Sequence, residues 1–490
     1  MKRILFVSSE VHPLMKTGGL GDVSGALPIA LKNMRRDVRI IMPGYRETMK
    51  KAGQSNLVAI EVNSTPPTVR LWETKLPGSH VKVLLVDSPE HFDRSGHPYV
   101  GPDGTDWPDN ADRFAVFARA VAAVACDKAG LDWQPDIVHC NDWQTGLVPA
   151  LLAREETRPA TVFTIHNLAY QGLFSRQTFQ RLDLPDELWA LDAMEFYGRF
   201  SYIKGGLIYA DMLSTVSPTY ATEIRTPQFG CGLEGLLQSR KERLTGILNG
   251  VDYNVWDPAN DTLIPQRYDP GTLHKKSHNK IRLLKRFGLP VTEKVPVIGF
   301  VGRLVEQKGV DLLLEILPPL FDEDIRLVLL GSGDARYEKA LLKATKIFPD
   351  RLGVHIGYDE ELAHEIEAGA DMFVMPSRFE PCGLNQIYSL RYGTVPIVHQ
   401  TGGLADTVMD TTEDRIADGS ATGFVFDKPK PDALLGAITR AVKQYKLPKE
   451  WKKLARNGMH KDFSWKRSAI QYLALYKRAE HARINIGNMQ

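Results

Sequence analysis

One hexapeptide pattern occurs twice, in opposite halves of the chain: Thr17-Gly-Gly-Leu-Gly-Asp22 and Thr401-Gly-Gly-Leu-Ala-Asp406 share T-G-G-L-x-D. Each copy lies between an apolar run of strand length and a helical pattern. Each therefore reads as the opening turn of a βα unit, where glycines let backbone N–H groups come close to an anion. Two such turns so far apart restrict the fold to two similar nucleotide-type α/β domains, each with its own glycine loop.

The second copy belongs to the most informative stretch, Pro376 to Val408. Met372 to Met375 reads as a buried strand, which places Ser377 to Glu380 at its carboxyl end, where open α/β sheets bind ligands. A Pro-Cys-Gly turn then leads into a helix over Asn385 to Tyr392, so Glu380 sits beside a helix N-terminus. Val395 to His399 is the next strand, feeding the Thr401 glycine loop. A carboxylate next to an anion-binding loop is a combination suited to a sugar carried on a phosphate.

The N-terminal half follows the same grammar. Arg3 to Ser8 is a strand, Thr17 to Asp22 a loop preceded by Lys16, and Gly25 to Lys32 a helix. Strands are predicted at Val38 to Met42, Val81 to Val86, Ile137 to His139, Thr161 to Ile165 and Leu213 to Val216, with a helix over Ala111 to Lys128. This alternation means a parallel sheet covered on both faces. Just past two strand ends come Asn141-Asp-Trp-Gln144 and His166-Asn-Leu-Ala-Tyr-Gln-Gly172. Asp142, Trp143 and His166 thus share one rim with the first glycine loop. Polar groups beside an aromatic face suit a sugar, whose hydroxyls need hydrogen-bond partners and whose C–H face needs an apolar surface. The glycine spacing does not fit G-x-G-x-x-G, which counts against a dehydrogenase.

Tyr253 to Glu293, rich in Asp, Pro, Asn and Lys, reads as a surface connection before a second start. Val295 to Val301 is then a strand and Val310 to Leu317 a helix. Between them Arg303 and Lys308, bracketed by Gly302 and Gly309, place two cations at the ligand edge, suited to a diphosphate. Ile325 to Leu330 and Val354 to Ile356 are further strands, the latter leading to Tyr358, which either stacks on a base or fills a gap. In the basic tail, Lys443 to Arg483, the spacing of Trp451, Trp465, Tyr472 and Tyr476 predicts packing helices with a solvated face.

Composition excludes more than it selects. The 490 residues are 43% hydrophobic and 24% charged with net charge +2, so the chain is long enough for two or three domains and has no global field for nucleic acid or an anionic membrane. Cys126, Cys140, Cys231 and Cys382 form no C-x-x-C, which fits a reducing cytoplasm. No apolar run reaches the roughly 20 residues of a membrane span. His274 and His278 lack an intervening Glu and sit among lysines, and Asp322-Glu-Asp324 precedes its strand, on the wrong edge for the site. No metal is expected, so Arg303 and Lys308 must carry the neutralising role.

Taken together, Lys16-Thr-Gly-Gly-Leu-Gly-Asp22, Asn141-Asp-Trp-Gln144, His166-Asn-Leu-Ala-Tyr-Gln-Gly172, Leu248-Asn-Gly-Val-Asp252, Gly302-Arg303 with Gln307-Lys-Gly309, Pro376-Ser-Arg-Phe-Glu-Pro-Cys-Gly-Leu384 and Thr401-Gly-Gly-Leu-Ala-Asp406 resemble the bacterial glycogen synthases, the family shared with plant starch synthases. The resemblance spans nearly the whole chain. It implies the GT-B fold, two Rossmann-like α/β domains facing across a deep cleft, with domains at 1–244 and 245–460 and a terminal helix in 461–490 crossing back to the first. It implies glucose transfer from ADP-glucose to the non-reducing 4-hydroxyl of an α-1,4-glucan or maltooligosaccharide, with retention and without a cofactor or metal.

Carried over residue by residue, the resemblance puts Arg303 and Lys308 on the departing diphosphate, with Lys16 and the backbone of Gly18 and Gly19 approaching it. His166 faces the transferred glucose and Glu380 holds its hydroxyls. Asp142, Asn167 and Asn249 line the sugar site, and Tyr358 the adenine. Cys382, Gly383, Leu384, Thr401, Gly402 and Gly403 complete the nucleotide-sugar side, and Asp22, Tyr99 and Trp143 the acceptor side. No second carboxylate is placed for a double displacement, so a front-face route is implied, the leaving phosphate helping to deprotonate the incoming hydroxyl. The second Glu common in related retaining transferases is replaced by Tyr388, as is usual in the bacterial enzymes. Asn141 and Asn385 stand where His and Thr are more frequent. Rival readings are a GT-B transferase using UDP-glucose or building another glycan, a glucan phosphorylase, and a non-catalytic glucan-binding scaffold; oligomeric state is not legible.

Overall fold

Residues 1–53, 55–59 and 69–487 are described in a computed structural model of the chain, which divides into two units, Met1–Gly250 with Trp465–Gln490, and Val251–Ser464. The junctions fall a few residues beyond positions 244 and 460, at a place where two backbones cross. A Cβ on Gly250 would stand 2.5 Å from the Trp465 Cα, so only glycine lets them meet. Positions 488–490 of the expected terminal helix lie outside the described residues.

The first unit is built on β1 (Arg3–Val7), β2 (Asp37–Pro43), β3 (Asn56–Ala59), β4 (Arg70–Lys75), β5 (Lys82–Asp87), β6 (Ile137–Asn141) and β7 (Ala160–Ile165). There follow a small antiparallel sheet of β8 (Leu173–Phe174), β9 (Glu195–Phe196) and β10 (Arg199–Ser201), and then β11 (Met212–Thr215) and β12 (Leu244–Gly246). The main sheet has the order β12-β11-β7-β6-β1-β2-β5-β4-β3, parallel from β12 to β5 and antiparallel at the far edge. Residues of β6, β7 and β11 are buried without alternation, which requires cover on both faces. Part of that cover is the helix Trp465–Gly487, whose Tyr476 hydroxyl meets His139 Nδ1 on β6 at 2.8 Å.

The second unit has β13 (Val297–Val301), β14 (Arg326–Gly331), β15 (Leu352–Ile356), β16 (Met372–Met375), β17 (Val395–His399) and β18 (Phe424–Phe426) in the all-parallel order β15-β14-β13-β16-β17-β18. This is the doubly wound arrangement of dinucleotide-binding domains, whose strand order reverses between its two halves. Alternate strand residues enter different cores. Ile298, Leu327, Met372 and Ile397 pack with the helices Val310–Leu320 and Pro431–Tyr445, while Val297, Val328, Phe373 and Val398 pack with Lys276–Arg286 and Glu360–Gly369.

Two expectations are corrected here. Gly19 to Asp22 are not loop but the first turn of a helix, Gly19–Asn33, capped at Gly18. The Tyr253–Glu293 stretch is not merely a surface connection, because it contains the helix Lys276–Arg286 with two buried lysines. Lys276 Nζ donates to the carbonyls of Glu367 and Ala368 and to Thr394 Oγ1, and Lys280 pairs with Asp371 at 2.7 Å. Burial lowers the Lys276 pKa to about 7 and raises that of Glu367 to about 8. The tail stripe also divides: Trp451 packs in the second unit, while Trp465, Tyr472 and Tyr476 are buried in the first.

Candidate functional site

In both sheets the candidate residues cluster where the strand order reverses, the crevice at which open α/β sheets take ligands. In the first unit the reversal lies between β1 and β6. The chain leaving β1 carries Glu10, Lys16 and Gly18, and the chain leaving β6 carries Asp142. Glu10, passed over in the sequence, organises the glycine turn. Its buried carboxylate accepts from Thr17 N (2.5 Å), Thr17 Oγ1 (2.6 Å), Gly18 N (3.1 Å) and the Tyr99 hydroxyl (2.8 Å). Tyr99, assigned to the acceptor side, thus has its hydroxyl engaged by Glu10 and by Ser9 at 2.7 Å. Lys16 pairs with Asp22 at 2.8 Å, so the cation expected to approach the diphosphate and the carboxylate expected on the acceptor side neutralise one another.

Asp142 has φ +57° and ψ 178°, a backbone that aims its carboxylate back at β7. Its Oδ1 accepts from the backbone N–H of His166 (2.7 Å) and Asn167 (3.4 Å). Burial, with the nearby Glu10 charge adding to it, raises the Asp142 pKa to about 7 against those two hydrogen bonds. Burial holds His166 neutral, its pKa lowered to about 3. Asn141 Nδ2 donates to the carbonyl of Val7, so Asn141 Oδ1 is the acceptor for His166 Nε2–H at 2.9 Å. The tautomer this implies leaves His166 Nδ1 as an acceptor for a hydroxyl. Asn141, noted as a departure, therefore orients the histidine. Asn167 Oδ1 accepts from Ala169 N (3.1 Å) in a tight turn. Asn249 Oδ1 and Gln144 Oε1 are buried with no donor among the described residues. Gln144 was not assigned from sequence; its place directly after Trp143 was the only signal.

Trp143 is corrected. It is buried rather than presented, its ring set against Phe114 (5.1 Å), Phe174 (6.0 Å) and Tyr202 (6.1 Å), with Gly172 pressed against it. It roots the rim instead of offering a platform.

In the second unit the reversal lies between β13 and β16, and their two loops interlock. Lys308 Nζ meets Glu380 Oε2 at 2.5 Å, and Ser377 Oγ donates to the same oxygen at 2.9 Å. Gly309, at φ +70°, permits this approach, since a Cβ there would stand 2.2 Å from the Pro376 carbonyl. Gln307 accepts from Arg303 (3.2 Å) and donates to the Phe379 carbonyl (3.0 Å), bridging the cation loop to the Glu380 loop. Asn385 Nδ2 ties the following helix to the Val301 carbonyl at 2.7 Å. Gln386 Nε2 bonds the carbonyls of Cys382 and Gly383 just before Leu384 caps that helix. Tyr358 is 79% exposed with its hydroxyl on Glu360, a ring presented rather than filling a gap.

The two glycine motifs prove chemically different. At Gly18 and Gly19 a Cβ would meet nothing within 4 Å, so that turn is open. At Gly402 and Gly403 a Cβ would strike the carbonyl oxygens of Glu380 and Cys382, each at 2.0 Å, and Gly403 N donates to the Glu380 carbonyl at 3.1 Å. Gly402 and Gly403 hold the Glu380 loop by close backbone packing. Gly403→Ala should therefore lower the melting temperature or abolish folding, whereas Gly19→Ala should leave melting nearly unchanged and raise KM for an anionic substrate severalfold. Equal melting losses in the two variants, read by calorimetry, would contradict the distinction.

The D-x-D segment is committed elsewhere. Asp324 pairs with Arg326 (2.7 Å) and Arg351 (3.2 Å), and Glu323 with Lys446 (3.4 Å). Among the described residues no three His, Cys, Asp or Glu gather as a metal site, and no helix is long and apolar enough to cross a membrane.

Comparison with known proteins agrees with this architecture. Residues 3–239 match the starch synthase catalytic domain, and residues 282–458 match glycosyl transferases group 1. Glycogen synthase 1 of Methylococcus capsulatus is 56% identical over 97% of this chain and 96% of its own length, and glycogen synthase of Thioalkalivibrio sulfidiphilus is 55% identical over 97% and 99%. The catalytic domain of starch synthase IV from Arabidopsis thaliana, solved with ADP and acarbose, superposes with TM-score 0.87 at 32% identity, covering 98% of this chain and 99% of that one. By these matches and by its paired Rossmann-like units, the chain belongs to the glycogen and starch synthase family of GT-B glycosyltransferases, enzymes that move a sugar from a nucleotide-sugar donor to a glucan acceptor and release the nucleotide.

Proposed function

We propose that the chain transfers glucose from ADP-glucose to the non-reducing 4-hydroxyl of an α-1,4-glucan, with retention of configuration and without a metal, in the cytoplasm. The observation that carries this is the Lys308–Glu380 pair at the reversal point of the second sheet, with Arg303 bridged through Gln307 to the carbonyl of the adjoining Phe379. Two cations on one loop match a leaving diphosphate, and a carboxylate 2.5 Å from one of them matches hydroxyls of the sugar that diphosphate carries. Arrival of the diphosphate would share Lys308 between two anions, turning Glu380 toward the glucose. Charge stabilisation at the departing diphosphate is then the main catalytic contribution. Tyr358 offers the exposed ring for the adenine, and the ligand ADP in the Arabidopsis neighbour supports the same base.

In the first unit, neutral His166 offers Nδ1 to a sugar hydroxyl, and Asp142, Asn167 and Asn249 line the same rim. Lys16 and the open backbone at Gly18 and Gly19 supply its anion-facing part. No carboxylate in this arrangement is set for a covalent glucosyl intermediate, which supports the front-face route.

The test is incubation of the purified chain with labelled ADP-glucose or UDP-glucose and a maltooligosaccharide. Chain extension with α-1,4 linkage is expected from ADP-glucose, faster than from UDP-glucose; preference for UDP-glucose would overturn the donor assignment. A chelator is expected to change the rate by less than about twofold, because Arg303 and Lys308 supply the positive charge. Full loss restored by magnesium would overturn the metal-free reading.

A further inference from the structure

The aromatic cluster around Trp143 does not end in the core. Phe174 stacks toward Phe200 at 5.6 Å, and through β10 the small antiparallel sheet runs outward to the β9–β10 hairpin. Its two-residue tip is Tyr197-Gly198, with φ +48° and +74°. Such a turn favours Asn-Gly, because a bulky side chain at positive φ costs about 1–2 kcal/mol. Yet the residue at this strained position is a tyrosine whose side chain is 82% exposed, so burial cannot be what offsets the strain. Phe196 buttresses its ring edge-on at 4.7 Å, and the backbone of the tip is pinned by Gly198 N donating to Glu195 Oε1 at 2.6 Å. The ring is held out, not left loose.

The tip is also continuous with the sugar rim. A Cβ on Gly232 would touch Phe196 and Tyr197, and the neighbouring Cys231 carbonyl accepts from Gln171 Nε2 at 2.9 Å. Gln171 lies on the loop that begins at His166. Lys204 Nζ, bonded to the carbonyls of Leu191 and Glu195, sets a second exposed apolar side chain, Leu191, beside the hairpin. A glucan whose reacting end lies at His166 has to leave the rim along some surface. This one offers an exposed aromatic face at the tip, with Glu195 turned inward onto Gly198 N and Arg199 onto the Leu173 carbonyl to brace it.

We propose that Tyr197 is a distal subsite for the acceptor, stacking on a glucose unit several residues from the growing end of an α-1,4-glucan. This rests on the glucan acceptor proposed above. A tyrosine face covers the C–H side of a pyranose and its hydroxyl supplies a polar edge, as at other amphipathic sites. Only acceptors long enough to span from the rim to the hairpin gain from it.

Tyr197→Asn places the residue the turn prefers, so folding is expected to be kept or improved, and Tyr197→Phe keeps the ring. In native gels containing glycogen and no nucleotide sugar, Tyr197→Asn is expected to migrate faster than the unsubstituted protein and Tyr197→Phe to match it. KM for glycogen should rise about threefold to tenfold in Tyr197→Asn, with kcat, KM for ADP-glucose and KM for maltose unchanged. Equal retardation of Tyr197→Asn and the unsubstituted protein overturns the subsite, as does an equal rise in KM for maltose. So does a change of oligomeric state in Tyr197→Asn without a change in retardation, which would make the hairpin a protein contact. Absence of retardation and of chain extension in the unsubstituted protein is a different result, and it overturns the proposed function itself.

Discussion

Lys308→Ala is expected to lower kcat by more than about tenfold, toward the roughly hundredfold to thousandfold loss seen when one donor to a developing anion is removed. The same substitution should also lower the melting temperature. Glu380 is buried, and Lys308 Nζ lies 2.5 Å from its carboxylate, which would be left with the Ser377 hydroxyl at 2.9 Å. Stranding a buried charge costs more than the pair itself is worth. The two effects separate in the double variant Lys308→Ala/Glu380→Gln, which removes the stranded charge and should regain most of the lost melting temperature while turnover stays low. Near-normal turnover in Lys308→Ala would remove Lys308 from the diphosphate.

Asp142→Asn is expected to act on stability in the opposite direction, raising it while also cutting turnover by about tenfold or more. The unfolded carboxyl ionises near 3.8, and burial lifts the folded value to about 7. Below the lower value both states are protonated and the group costs nothing. Between the two the unfolded chain releases a proton that the folded chain retains, so the cost grows with pH, and above about 7 it is constant. An asparagine, whose Oδ1 still accepts from His166 and Asn167, removes that cost. The gain in melting temperature should therefore be near zero at pH 4 and largest from pH 7 upward. A gain independent of pH, or turnover unchanged by the substitution, would count against Asp142 as a carboxylate held under strain for the sugar.

What could be read from the sequence was whatever local pattern decides. Strands β16 and β17 and the helix Asn385–Tyr392 were legible to the residue, because each is an unbroken apolar or helical run between turn residues. The strand-end placement of Asp142, His166, Arg303 and Glu380 followed from the same runs. Tertiary partners were invisible. Lys276 and Lys280 resemble solvated lysines until Glu367, Thr394 and Asp371 arrive from far along the chain. Trp143 resembled an exposed platform because nothing local announces Phe174 and Tyr202. Glu10 resembled an ordinary acidic residue because its four donors come from a turn and from Tyr99. The two T-G-G-L motifs were alike in letters and unlike in surroundings, since only packing shows which glycines face open space and which face a carbonyl.

The helix Trp465–Gly487 belongs to the unit that begins at Met1. Synthesis thus leaves the sheet of the first unit uncovered on the side where Tyr472 and Tyr476 come to rest against His139 until the residues of that helix have been made. The later-made unit, Val251–Ser464, has all its strands in hand before then. Birth order and completion order are inverted, and a chain truncated before Trp465 would lose the fold of its beginning rather than of its end.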